Sequence, residues 1–220
     1  MLLRVIPAPF YNGVNSSRNP VRSWSYQYYG PRFSPGRRIP CDFFTPPLWS
    51  KVREGDLAEY EMMKIGVISD THLRELNPDF KKMIESHFRD VEKIFHTGDF
   101  VDWSIAEYLS SRRELIAVCG NMDPRDIQEA FPRKRVVEIK GFKIGLIHGG
   151  GPPFGIESRI RGEFDEVDAI VYGHSHAPAN HQTKNVTFFN PGSPTRSFIH
   201  RATIGILRIG ERIEGEIIKI

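Results

Sequence analysis

No apolar run in the chain approaches the roughly 18 residues needed to cross a bilayer as a helix, so no segment qualifies as a transmembrane span. Cysteine is nearly absent. Cys41 and Cys119 form no CxxC pair, which leaves no thiolate zinc cluster and fits a reducing cytoplasm. Acidic residues are missing before Asp42. A basic excess is missing after residue 62, where 22 lysines and arginines stand against 22 aspartates and glutamates. The formal net charge of +3 therefore belongs to residues 1–62, with eight basic against five acidic residues. The remainder carries no electrostatic footprint for nucleic acid. What is present, 40% hydrophobic and 26% charged residues over 220 positions, suffices for one globular domain with a sizeable core.

Residues 1–61 hold neither a helical nor a strand period. Pro7, Pro9, Pro20, Pro31, Pro35, Pro40, Pro46 and Pro47 interrupt any helix or central strand that might begin there. Three readings compete. A targeting segment would be Arg-rich, Ser-rich and poor in acid, as residues 1–40 are, yet such segments are amphipathic helices, which these prolines forbid. A flexible arm for an acidic partner is the second. The third, preferred because a regular pattern starts abruptly at Met63-Lys64-Ile65, is that the natural start is Met62 or Met63. The chain is divided accordingly into an irregular basic leader, 1–62, and a domain, 63–220.

Within the domain, residues 64–69 form a short buried strand ending at Asp70. Asn77-Pro78 opens a helix with Phe80, Ile84, Phe88 and Val91 on one face. Residues 93–96 are a second strand, Asp102 caps a helix carrying Ile105, Ala106 and Leu109, and 115–119 are a third strand. This alternation implies parallel pairing. Strands follow at 136–139 and 142–147, then a short helix at 156–162, then strands at 169–172, 186–189, 202–207 and 213–218. Gly210-Glu211 suits a type II′ hairpin with Gly first. The fold class is α/β, two packed sheets with helices outside. Lys64-Ile65-Gly66-Val67-Ile68 is echoed by Lys143-Ile144-Gly145-Leu146-Ile147, which points to equivalent central strands in the two sheets.

Five polar clusters close apolar runs: Asp70-Thr71-His72, Gly98-Asp99, Gly120-Asn121-Met122-Asp123, His148-Gly149 and Gly173-His174-Ser175-His176. Ligands collect beyond the carboxyl ends of parallel strands, so these segments would aim their side chains at one edge. Each cluster alone is an ordinary turn; the information is in their order and co-occurrence. Carboxylate, amide and imidazole donors suit Mn, Fe, Zn, Ni or Co better than calcium. They are numerous enough for two ions sharing one carboxylate, and Asp99 is the natural bridge. Two such ions clamp a phosphate and ionise water near neutral pH. Metal-assisted phosphoester hydrolysis is the chemistry this pattern favours.

With these motifs in place, residues 63–220 resemble the calcineurin-like metallophosphoesterase superfamily, and within it the small single-domain YfcE-like phosphodiesterase branch. The resemblance implies two packed mixed β-sheets flanked by helices and two divalent transition-metal ions. Manganese heads the candidates, with nickel, zinc, iron, cobalt or magnesium as alternatives. By the same resemblance Asp70, His72, Asp99 and His176 would hold one ion, and Asp99, Asn121, His148 and His174 the other. A metal-bridging hydroxide would attack phosphorus, with Asp99 and Asn121 at the catalytic centre.

Many superfamily members carry His after the Asn, where it protonates the leaving group; here Met122 stands in that place. Asp123 could serve as the acid, or could simply orient the turn or a ligand histidine. His96 is expected to support a ligand rather than be one. Asn190-Pro191-Gly192-Ser193 with Arg196 resembles a loop of the same branch, where Ser193 or Arg196, with Asn121, would touch substrate phosphate. The expected partner is a small phosphoester, with no membrane. The neutral domain argues against a nuclease role, and a homo-oligomer through a sheet edge is possible in principle. The competing class is a non-catalytic protein-binding scaffold of the retromer-subunit type, which loss of ligands would favour; here every expected ligand position is filled.

Overall fold

A computed structural model describes residues 62–195 and 200–220. The leader, with the three readings attached to it, and Arg196 lie outside the described residues. In chain order the elements are β1 (Met63–Ile68), α1 (Pro78–His87), β2 (Lys93–His96), α2 (Trp103–Arg112), β3 (Glu114–Ala117), α3 (Arg125–Ala130), β4 (Lys134–Ile139), β5 (Phe142–Ile147), α4 (Ile156–Arg161), β6 (Ala169–Val171), β7 (Ala179–Thr183), β8 (Val186–Asn190), β9 (Thr203–Ile209) and β10 (Ile213–Lys219). Asn77 caps α1 by accepting from the Phe80 amide at 2.9 Å, and Asp102 caps α2 by accepting from the Ser104 amide at 2.9 Å.

The strands form two five-stranded mixed sheets, ordered β10-β9-β1-β2-β3 and β4-β5-β6-β8-β7. In the first, β1, β2 and β3 run parallel, while β9 pairs antiparallel with β1. In the second, β5, β6 and β8 run parallel, while β4 and β7 are antiparallel edges. Period-two alternation sorts the side chains into layers. Ile65, Val67, Phe95, Ile144, Leu146, Ala169, Val171 and Phe189 fill the space between the sheets. Ile68, Ile94, Ile204 and Ile206 face the other way, onto Phe80, Ile84, Ile105, Leu109 and Ile127 of α1, α2 and α3. On the far side Ile170, Tyr172 and Phe188 pack on Ile156 and Ile160 of α4. This is the two-sheet sandwich with helices outside that the sequence implies.

The echoed pentapeptides lie in β1 and β5, and packing accounts for their shared glycine. A Cβ on Gly66 would sit 2.8 Å from the Phe88 ring, and one on Gly145 would sit 2.9 Å from the Phe164 ring. Each glycine opens the outer face of its sheet to an aromatic side chain. The positions are not fully equivalent, because β1 is the centre of its sheet and β5 stands one place from an edge.

Two elements escape the sequence pattern. α3 has six residues and buries only Ile127, too little for a helical stripe. β7 is an exposed polar edge and has no alternation to detect. The β9–β10 turn also differs from expectation. Ile209 pairs with Ile213 across a three-residue loop, and Gly210 is not among the residues with left-handed φ, so the turn is not type II′. Gly66→Ala is expected to lower the unfolding free energy in urea titrations by about 1–3 kcal/mol, the usual cost of overpacking a filled site. Gly150→Ala, where a Cβ meets nothing within 4 Å, is expected to leave it unchanged.

Candidate metal centre

The parallel strands deliver their C-terminal ends to one edge of the sandwich. Asp70 follows β1, Asp99 follows β2, Asn121 follows β3, His148 follows β5 and His174 follows β6. Hydrogen bonds carry the sheet order into these loops: Asp70 N to Gly98 O at 3.0 Å, His72 N to Asp99 O at 3.1 Å, Val118 N to His96 O at 3.0 Å, and Gly173 N to His148 O at 3.2 Å. Asp70, His72, Asp99, His174 and His176 all adopt left-handed φ, between 47° and 67°. A non-glycine residue rarely does so, and runs of such residues mark functional sites.

The geometry centres on two carboxylates withdrawn from water, Asp70 at 0% and Asp99 at 3% exposure. Asp70 Oδ2 accepts from Ser69 Oγ at 2.6 Å and from His174 N at 2.9 Å. Its Oδ1 faces three imidazole nitrogens, Nε2 of His176 at 3.4 Å, of His72 at 3.8 Å and of His148 at 3.9 Å. Asp99 Oδ1 accepts from Met122 N at 2.7 Å, which turns Oδ2 toward Nε2 of His148 at 3.3 Å and of His72 at 3.6 Å. Two sets of donor atoms thus lie within 4.8 Å of one another: Asp70, His72 and His176, and Asp70, Asp99 and His148. Residue 120 must be glycine for this arrangement, since a Cβ there would strike Asp99 Oδ1.

The donor set fits a cation. His148 Nδ1 lies 2.7 Å from Thr97 O and donates to it, so in the neutral ring Nε2 carries the lone pair. That buried Nε2 has no hydrogen-bond partner, and it faces the Asp99 carboxylate. His72 and His176 likewise bring their Nε2 atoms to 3.2 Å. Ring nitrogens and carboxylate oxygens that face one another in a buried pocket are stabilised by positive charge between them, whether a ring proton or a metal ion. The charges respond to one another in the same sense. Burial opposes ionisation of Asp70, but His176, His72 and His148 hold its carboxyl well below the usual carboxylate range. Burial works to lower the His148 pKa, but Asp99 and Asp70 outweigh it and raise it. Contact with Asp70 raises that of His176.

The remaining expected residues divide. Asn121 is exposed beside the cluster, and its Oδ1 lies 3.0 Å from His174 Nδ1, while His174 Nε2 meets Gly151 O at 2.8 Å. The structure therefore brings Asn121 and His174 together, with the His174 ring centroid 5.2 Å from that of His148. Asp123 is 3% exposed, and its two oxygens accept from Asp99 N at 2.9 Å, Gly120 N at 2.7 Å and Val101 N at 2.9 Å. It binds the Gly98-Asp99 loop to the Gly120 turn, a geometry that suits the orienting role. Ser193 is buried, and its Oγ donates to Asp70 O at 2.8 Å, clamping the loop after β8 onto the metal centre. His96 is fully buried against the Phe100 ring, centroids 3.4 Å apart. Burial drives its pKa well down. Its Nδ1 accepts from Gly98 N at 3.1 Å, and its Nε2 lies 3.3 Å from Thr71 Oγ1, so it supports both ligand loops.

Residues 63–212 match the sequence profile of the calcineurin-like phosphoesterase superfamily domain. A probable metallophosphoesterase of Methanothermobacter thermautotrophicus is 38% identical over 160 residues, covering 71% of this chain and 92% of that protein. The solved structure of an archaeal phosphodiesterase superposes with a TM-score of 0.59 at 30% identity, over 72% of this chain and 100% of the other. Vacuolar protein sorting 29 of Cryptosporidium parvum superposes with a TM-score of 0.56 at 20% identity, over 72% and 98% of the two chains; that likeness is one of fold.

Asp123→Asn sets an amide NH2 against backbone N–H donors. The expected result is a loss of about 1–3 kcal/mol in stability, with weaker metal binding by calorimetry, because the Asp99 loop loses its tie. A variant as stable and as metal-loaded as the parent, deficient in turnover alone, would instead assign Asp123 to proton transfer.

Proposed function

This chain belongs to the calcineurin-like phosphoesterase superfamily, and we propose that it is a two-metal phosphodiesterase acting on a small phosphoester. The observation that carries the reading is the convergence of three imidazole Nε2 atoms on the inward oxygens of two buried carboxylates, with His148 Nε2 free of any other partner. Asp70, His72, Asp99 and His176 would hold one ion, and Asp99, Asn121, His148 and His174 the other. Manganese is the first choice for this mixture of oxygen and imidazole donors without thiolate. Bound divalent ions supply Lewis acidity toward phosphoryl oxygens and ionise water at neutral pH.

The protein's own groups set the rest. Asp99 is held by the Met122 amide so that Oδ2 points to the centre. Asn121 directs Oδ1 toward His174 and leaves its Nδ2 to donate to a substrate oxygen. Asp123 and Ser193 position the loops that carry these ligands. Arg196 is retained as a contact for substrate phosphate. Met122 carries no proton to give, so leaving groups of low pKa, as in aryl diesters, are favoured. The balanced charge of residues 63–220 suits a small substrate better than a polynucleotide. The free thiol of Cys119 suits the cytosol.

Metal-stripped protein supplied with Mn2+ is expected to hydrolyse bis-p-nitrophenyl phosphate faster than p-nitrophenyl phosphate. Asp99→Asn and His148→Ala should each lose more than roughly 100-fold, the upper end of what outer-shell changes cost. Measured metal binding without turnover of either ester under any of the six metals would overturn the enzyme reading in favour of a scaffold.

A further inference from the structure

A cavity of about 640 Å³ opens directly from the metal centre. Asn121 and His148, two of the expected ligands, line it together with Gln128, Arg133 and Arg159. A larger hollow, about 740 Å³ beside Val136 and Phe164, holds none of the candidate ligands.

The position of Arg133 is fixed by the fold. β4 and β5 pair antiparallel and their ladder ends with Lys134 opposite Ile147, so Arg133 and His148 are the next residues outward on the two chains. The Cys119 amide donates to Pro132 O at 3.0 Å and pins this corner beside the Gly120-Asn121 turn. The other charges at the cavity are already engaged. Glu163 pairs with Lys134 at 2.9 Å. Arg159 is tied to the carbonyls of Gly150, Pro152 and Phe154, which holds its positive charge in the wall but occupies its donors. Arg133 makes no hydrogen bond or ion pair with any described residue. A guanidinium with its fork open, just beyond the end of the β4–β5 ladder and lining a cavity with an expected metal ligand and a second cation, is suited to receive an anion.

We propose that this cavity is the subsite for a second anionic group of the substrate, a carboxylate or phosphoryl carried on one ester arm, and that Arg133 recognises it. The inference rests on the phosphodiesterase reading and narrows its substrate class to esters of hydroxy acids or of phosphorylated alcohols. Diesters with two uncharged arms would bind through the metal centre alone.

The test uses non-hydrolysable probes on the full chain loaded with Mn2+. Phosphonocarboxylates with one to three methylenes, and propane diphosphonate, are each compared by calorimetry with the alkylphosphonate of matching length. The readout is the ratio of affinities between charged and neutral tails, which is independent of any overall loss in a variant. The expected ratio is roughly tenfold or more for the best tail length, the scale of a charge-assisted hydrogen bond. It should fall near unity in Arg133→Ala and lie between in Arg133→Lys, which keeps the charge and loses the fork. The carboxylate and diphosphonate arms tell the two anions apart. A ratio near unity in the parent protein, or one that survives Arg133→Ala, overturns the subsite while alkylphosphonate binding leaves the metal-centre reading standing. Failure of every phosphonate to bind the metal-loaded protein overturns both.

Discussion

Burial of two carboxylates at the ends of adjacent parallel strands is the constraint on which the rest of this molecule turns. Asp70 and Asp99 are almost without solvent, and an isolated carboxylate in such a place is too costly to persist. Each is therefore divided in its use of oxygens. One oxygen is satisfied from the protein, by Ser69 and the His174 amide for Asp70 and by the Met122 amide for Asp99. The other is left facing imidazole nitrogens. His148 donates its Nδ1 proton to the Thr97 carbonyl, so its Nε2 meets the Asp99 oxygen either as the N–H of a charged ring or as a ligand to a cation, and a bound ion would satisfy the carboxylates and the rings together.

The backbone bears a cost for this convergence. Five of the seven expected ligands sit in the left-handed region, where a non-glycine residue gives up about 1–3 kcal/mol. The hydrogen bonds around them stabilise that conformation. Asp123 gathers three amides from two loops, Ser193 reaches back to the Asp70 carbonyl, and His96 spans from the Gly98 amide to Thr71. These three buried polar residues do for the loops what the sheet ladder does for the strands. A ligand cluster can be strained in this way only because its scaffold, two sheets closed on a shared apolar layer, has little freedom to relax.

The sequence disclosed the strands, the sandwich class and the ligand types, because a buried strand has a pattern and a polar residue closing it breaks that pattern. The echo of β1 in β5 was visible as well; its cause, an aromatic ring seated on each glycine, was not, because Phe88 and Phe164 lie outside the echoed segments. α3 and β7 went unseen for lack of buried residues to write a period. Asp123 and Ser193 were legible as polar residues near the site but not in their roles, since an acid, a substrate contact and a loop clamp use the same residue types. Arg133 carried no local signal of any kind. Its significance comes from the register of β4 on β5, a relation between residues 15 positions apart that no motif contains.

Met122 stands exposed in the Gly120 turn, and both oxygens of Asp123 beside it accept from backbone amides. With Asp123 in the orienting role, discrimination among leaving groups would come from binding. Arg133, proposed above as the contact for an anionic arm, would supply it, because an arm held there would orient the phosphoryl group over the centre, and orientation alone contributes to rate by holding the reacting atoms in line. On this view Met122 and the open guanidinium of Arg133 are two parts of one arrangement, in which substrate charge sets the orientation of the reacting group.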